Sequence, residues 1–295
     1  MSGPVSVVVS VVGVLLVLGV LWDVFRTIFN PSGQGRISGA AMSAVWRLTA
    51  RGGDRPRELA GPSALAAVIA AWVVLAVVGW ALVYWPHVPA GFVHSSGLDV
   101  SERSTAADAL YVSVVTLATL GYGDVVPAAT GLRLVAPLEA LMGFAILTAA
   151  VTWVLQVQPA LVRRRTMVMT LSGLRRAGLE REVRTLDAGL PAHLLTDVAA
   201  SVTQVGVDLT QYSETYYFRE GEEERGFGEA LIFAADLAEA GSASPRPDVR
   251  LAARALQAAL DDLAAHAGST FLGVTGGTRS VLEALRRDRA KRPPR

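Results

Sequence analysis

Thr119-Leu120-Gly121-Tyr122-Gly123-Asp124 is the run whose residue types and spacing could do chemistry without any catalytic side chain. Its two glycines alternate with a leucine and a tyrosine. Glycine reaches backbone angles closed to other residues at little steric cost, so the carbonyls of such a run need not alternate sides as they do in an ordinary strand. Carbonyls that all turn toward one axis can replace the water shell of a dehydrated cation. The run follows directly on Ala106 to Ala118, an apolar stretch of about 13 residues. At 1.5 Å per residue that helix is about 20 Å long, too short to cross about 30 Å of hydrocarbon. A re-entrant helix is the expectation. Non-helical backbone at membrane depth is tolerated only where it lines a pore or lies buried in protein.

The elements that must hold this run are apolar and long. Met1 to Trp22 carries no charge, and its apolar face continues past Asp23 to Phe29. Leu59 to Leu98 has no Asp, Glu, Lys or Arg, with its core at Ala64 to Trp85, and Leu132 to Val162 holds Glu139 inside it. Each exceeds the roughly 20 residues a helical span needs. The first stretch lacks the positive start and small-residue cleavage site of a signal peptide, so it reads as a retained helix. Of the chain's 53 charged residues, 16 fall in residues 1–162 and 37 in residues 163–295. An apolar half in lipid is therefore joined to a water-soluble half. The segment 30–61 carries Arg36, Arg47, Arg51, Arg55 and Arg57, and Arg163, Arg164 and Arg165 close the third span, whereas only Arg103 and Arg133 lie between the second and third. The positive-inside rule puts 31–61 and the C-terminal half in the cytoplasm and the N-terminus outside. Gly52, Gly53 and Pro56 interrupt the loop arginines, which excludes a voltage-sensing helix. Tyr84 and Trp85 fit the outer interface.

With these flanks in place, TLGYGD resembles the selectivity filter of the potassium-channel family, usually written TVGYGD. The order of outer helix, short pore helix, filter and inner helix is also that of the family, over about residues 62 to 160. The resemblance implies K+ sites formed by the carbonyls of Thr119, Leu120, Gly121 and Tyr122 with the Thr119 hydroxyl. It implies a Tyr122 ring braced against the pore helix, and Gly123 and Asp124 at the outer mouth. One filter per chain implies a homotetramer around the pore axis. The fold class is then an all-α membrane protein. Its parts are an extra N-terminal transmembrane helix (1–30), a cytoplasmic loop (31–61), a potassium-channel pore domain (62–162) and a cytoplasmic α-helical domain (163–295). No cofactor beyond the permeant K+ is implied. Leu120 replaces the usual valine, Ala118 a frequent threonine, and Val115 stands where some members carry glutamate.

Glu139 is an intramembrane carboxylate about 10 Å into the third span by helix rise, near the level of the filter. Such a group is costly and marks a pore-tuning bond or a structural one. Gly143 is either a hinge or a close-packing site. Thr148 and Thr152 either line the cavity or bond their own backbone. Pro159 should end or bend the helix, and Asp23 and Arg26 are spaced to pair.

In the second half, Leu195, Val198, Val202, Val205, Leu209, Tyr212 and Tyr216 follow a 3.5-residue period, which suits a bundle core or a coiled coil. Val249, Leu256, Leu260 and Leu263 form another face, and a last helix runs from about Thr278 to Arg289. Gly226-Phe227-Gly228, beside Glu222 to Arg225, lacks the flanking spans of a filter. The chain has no cysteine, its net charge of +1 draws no nucleic acid, and no nucleophile, base and cofactor constellation indicates an enzyme. The expectation is a K+-selective channel gated through residues 163–295. The alternatives are a weakly selective cation channel and a non-conducting membrane sensor or scaffold.

Overall fold

A computed structural model describes residues 3–29, 35–50, 60–95, 105–183, 189–218 and 221–290. The chain is an all-α membrane protein, with one two-stranded sheet among the described residues. Its helices divide into two compact units, Met1–Ala44 with Ala64–Val154 and Val45–Ser63 with Leu155–Arg295.

The first unit begins with α1 (Gly3–Phe29), which carries no charge before Asp23 and is long and apolar enough to cross a bilayer. The next helix, α2 (Arg36–Ala50), lies where a loop was expected over 31–61. Met42 and Ser38, four apart, are the buried positions among its described side chains, and this one-sided burial makes a short surface helix out of a segment too polar to span. Arg51, Arg55 and Arg57 lie outside the described residues, as does Arg103.

The second span is α3 (Ala60–Tyr84). It packs on α1 where Gly13 and Gly79 meet, since a Cβ on Gly13 would reach the Gly79 carbonyl at 2.5 Å. After a 3-10 turn at Trp85–His87 comes strand β1 (Phe92–His94), then the short helix α4 (Thr105–Leu117) and strand β2 (Val125–Pro127). The strands are antiparallel, with His94 opposite Val125 and Phe92 opposite Pro127. The third span, α5 (Thr130–Arg176), begins under the Gly91 carbonyl, which takes the Ala128 and Ala129 amides. It does not end at Pro159 but runs on to Arg176. Proline removes one backbone donor, and the apolar positions that continue beyond it (Leu161, Met167, Val168 and Leu171) are buried.

Asp23 does not pair with Arg26 as its spacing suggested. It is 3% exposed and accepts from Ile37 N (2.8 Å), Ser38 N (3.1 Å), Ser38 Oγ (2.6 Å) and Trp72 Nε1 (2.9 Å). A carboxylate at the start of α2 satisfies amides that have no partner within the helix, and with the indole these outweigh a lone surface arginine.

The second unit is a bundle. After the single-turn α6 (Leu179–Glu182) come α7 (Leu190–Gln211), a 3-10 turn at Ser213–Tyr217, α8 (Gly221–Ser242), α9 (Pro247–Ala267), a π turn at Gly268–Leu272, and α10 (Thr278–Ala290). Leu195, Val202 and Leu209 of α7 share one core with Leu231, Leu256, Leu260 and Leu282, so the 3.5-residue period serves an intramolecular bundle. The Gly226-Phe227-Gly228 run is helical, with Phe227 fully buried. Two of the arginines that close the third span bond into this unit. Arg163 forks onto Asp208 at 2.8 and 2.7 Å. Arg164, buried, donates to the Thr215 and Phe218 carbonyls.

Candidate functional site

The short helix and the run that follows it are joined by backbone bonds. Ala118 N donates to the Val114 carbonyl, Thr119 N to Thr116, and both Leu120 N (2.9 Å) and Gly121 N (3.4 Å) to Val115. The Val115 and Thr116 carbonyls near the end of α4 are thereby occupied by amides of the run itself. The helix end carries a partial negative charge, and it lies against Thr119.

Beyond this junction every second residue turns left-handed, Thr119 at φ 58°, Gly121 at 55° and Gly123 at 79°, while Leu120 and Tyr122 do not. An alternation of this kind turns successive carbonyls to a common side, which an extended strand cannot do. The glycines signalled it in the sequence. Thr119 gave no signal, because a β-branched residue is strained at positive φ. Its amide bond to Thr116 holds it there, and residues held in such conformations cluster at functional sites. Thr119 through Gly123 are exposed in the single chain. Tyr122 is 68% exposed in the single chain.

The far end of the run is anchored twice. Tyr111 Oη donates to Asp124 Oδ2 at 2.7 Å, and the Asp124 carbonyl accepts from Ser95 N at 2.8 Å. β2 then continues into its pairing with β1. Tyr111 was missed in the sequence, where it read as one more apolar residue of the helix.

Glu139 on α5 is completely buried. Tyr84 Oη donates to its Oε2 and Ser113 Oγ to its Oε1, each at 2.6 Å. One carboxylate thus joins α3, α4 and α5. Ser113 Oγ also lies 3.0 Å from the Val77 carbonyl, and its single proton serves one acceptor at a time. Tyr84 is therefore no interface anchor. A phenol with an apolar body and one polar tip is well placed in the interior when that tip meets a carboxylate. A serine centred in an apolar helix was the available signal for Ser113.

Gly143, one turn further along α5, faces the end of α4. A Cβ there would fall on the Leu117 carbonyl oxygen and lie 2.9 Å from the carbonyl carbon. α5 is continuous through it, so the observed role is close approach. The Thr148 hydroxyl donates to the Phe144 carbonyl four residues back, and both Thr148 and Thr152 are exposed in the single chain. The run, Glu139 and Gly143 are brought together around α4; Thr148 and Thr152 stand apart from that cluster, further along α5.

Residues 67–157 match the family described as ion channel. Over 169 residues, 56% of the chain, it is 27% identical to the uncharacterized membrane protein YdjJ of Bacillus subtilis, covering 48% of that protein. Over 93 residues, 30% of the chain, it is 33% identical to the two pore potassium channel c of Oryza sativa subsp. japonica, covering 20% of it. The chain thus spans half or less of these relatives. No solved structure matches.

Proposed function

We propose that this chain, whose residues 67–157 match the ion-channel family, is a pore-loop channel that conducts K+ selectively as a homotetramer. An ion channel in the membrane, and not an enzyme, is the premise. The observation that carries it is the left-handed backbone at Thr119, Gly121 and Gly123, an alternation that would turn the carbonyls of Thr119, Leu120, Gly121 and Tyr122 to one side. Four copies around an axis would close these carbonyls into rings that replace the hydration shell of a K+ ion. The Thr119 hydroxyl would add the innermost ligand. Exposure of Tyr122 in the single chain leaves its ring for a neighbouring copy to brace. The naming of the rice relative as a potassium channel supports the choice of ion.

Asp124, held by Tyr111, would mark the outer mouth. The arginines of 30–61 and of 163–165 support a cytoplasmic C-terminal unit and an outside N-terminus. Residues 163–295 would then carry the gating stimulus, with Glu139 and Gly143 tuning the pore from behind α4, and Thr148 and Thr152 facing the cavity below it.

Reconstituted protein should pass K+ well ahead of Na+ in liposome flux, and Gly121→Asp, which puts an L side chain at φ 55°, should abolish the flux. Equal passage of both ions would reject selectivity. Flux that survives Gly121→Asp would reject this run as the conducting element.

A further inference from the structure

We infer that the 3-10 turn Ser213–Tyr217, with Phe218 after it, is a coupling joint through which a change in the helical bundle reaches both spans that flank the filter. This rests on the channel reading above and deepens it, by naming the residues that pass the gating stimulus on.

Two spans meet this turn. On α5, Arg164 is 3% exposed. Its guanidinium donates to the Thr215 carbonyl at 2.6 Å and to the Phe218 carbonyl at 3.2 Å, with the Phe227 ring centred 5.7 Å from its Cζ. The preceding residue, Arg163, forks onto Asp208 in the last turn of α7. Adjacent residues on a helix project about 100° apart, so the two arginines together fix the rotation of α5 as well as its height against the turn. On α3, the second residue is Gly61, and a Cβ there would come within 2.5 Å of the Phe218 ring. Phe218 thus meets the start of the second span with its ring and the end of the third with its carbonyl.

Packing alone does not call for this chemistry. Desolvating a charged side chain is costly, and apolar side chains of similar volume often hold a core at least as well. What the guanidinium adds is direction. Its bonds weaken steeply with angle and distance, so a small rotation of α5 makes or breaks them together, and the joint has discrete arrangements rather than a continuum.

The same turn faces the bundle through Tyr216. Its ring stacks on Phe271 of the π turn, with centroids 4.1 Å apart and planes 1° apart, and its hydroxyl donates to Asp288 Oδ2 of α10 at 2.9 Å. Single π turns are frequent at functional sites. This one ends on Gly273 at φ 62° and leads to α10 through the exposed Gly276 and Gly277. A stimulus that shifts the π turn or α10 moves Tyr216, and Thr215 and Phe218 on either side of it carry the shift to Arg164 and Gly61.

The test is single-channel recording of the full-length protein in planar bilayers with symmetric KCl. Arg164→Lys acts on the joint from the third span and Gly61→Ala from the second. Tyr216→Phe acts from the bundle, since it keeps the ring stack and loses the Asp288 bond. Arg164→Lys and Tyr216→Phe should each change the open probability by about tenfold, the scale of one hydrogen bond to a charged group. Gly61→Ala should move it in the same direction, because all three release one turn. Gly61→Ala combined with Tyr216→Phe should give little more than the larger single effect. Unit conductance and K+/Na+ selectivity should stay at their wild-type values. Wild-type open probability in the two milder variants, Gly61→Ala and Tyr216→Phe, would overturn the joint while leaving K+ conduction standing, as would opposite shifts or effects that simply multiply.

A second measurement does not depend on conduction. The chain has no cysteine, so Met169→Cys on α5, exposed in the native chain, takes a single nitroxide label. Adding Tyr216→Phe should change the mobility of that label in the electron-spin spectrum. An unchanged spectrum would overturn the joint whether or not the bilayer carries current.

Discussion

Alanine at position 143 separates two roles by the sign of one number. In α5, Gly→Ala by itself favours the helix by about 0.5–1 kcal/mol. A hinge glycine would show that gain in stability, together with altered opening. The structure argues the reverse. The added Cβ falls on the Leu117 carbonyl oxygen and lies 2.9 Å from its carbon, and the neighbour is backbone at the end of a helix rather than the tip of a flexible side chain. Overpacking of well-packed interiors costs about 1–3 kcal/mol, and a rigid neighbour belongs at the upper end of that range. Setting the propensity gain against it leaves a net loss of about 2 kcal/mol, roughly a thirtyfold fall in the folding equilibrium constant. The shift that relieves the contact moves Leu117, two residues before Thr119, so K+/Na+ selectivity should fall as well. Denaturant unfolding of the purified protein in detergent reads the first effect and liposome flux the second. A Gly143→Ala protein more stable than wild type, with unchanged selectivity, would refute the close-approach argument.

Glu139→Leu strands Tyr84 Oη, whereas Ser113 keeps the Val77 carbonyl. The loss should be about 1–3 kcal/mol, and adding Tyr84→Phe should recover a good part of it; a double variant as unstable as the single one would sink that account. Asp23→Ala removes the cap of α2 and the Trp72 partner together. A cost of about 0.5–2 kcal/mol from the cap alone should appear as faster tryptic cleavage at Arg36 and Arg47, and unchanged cleavage would count against it.

The spans and the filter were legible because each is a local signal. Apolar length above about 20 residues names a span, and two glycines bracketing Tyr122 name a turned backbone. What escaped were the bonds that join distant elements. Glu139 was visible as a buried charge, but its donors Tyr84 and Ser113 lie 55 and 26 residues away, and nothing in either residue type declares that partner. Asp23 was paired with the arginine three residues on, whereas its donors came from another helix and from residues 37 and 38. Thr119 was assigned as a ligand and not as a left-handed residue, since only its tether to α4 makes that conformation tolerable. α2 was missed because its arginines were read only as charge, although its apolar and polar residues separate onto opposite faces.

The cap on α2 also sets an order of events at the ribosome. Asp23 lies in the last two turns of a helix inserted early, and its donors are made afterwards, the Ile37 amide 14 residues later and the Trp72 indole 49 residues later. At roughly 5–20 residues per second, the carboxylate waits on the order of 1 s for the first and about 2–10 s for the second. An ionised side chain within a span is costly over that interval. The nascent chain therefore gains from holding Asp23 at the water interface until the second span emerges. Trp72 then acts as the latch that draws it in, and the first helix takes its final seat only after the second has been synthesised.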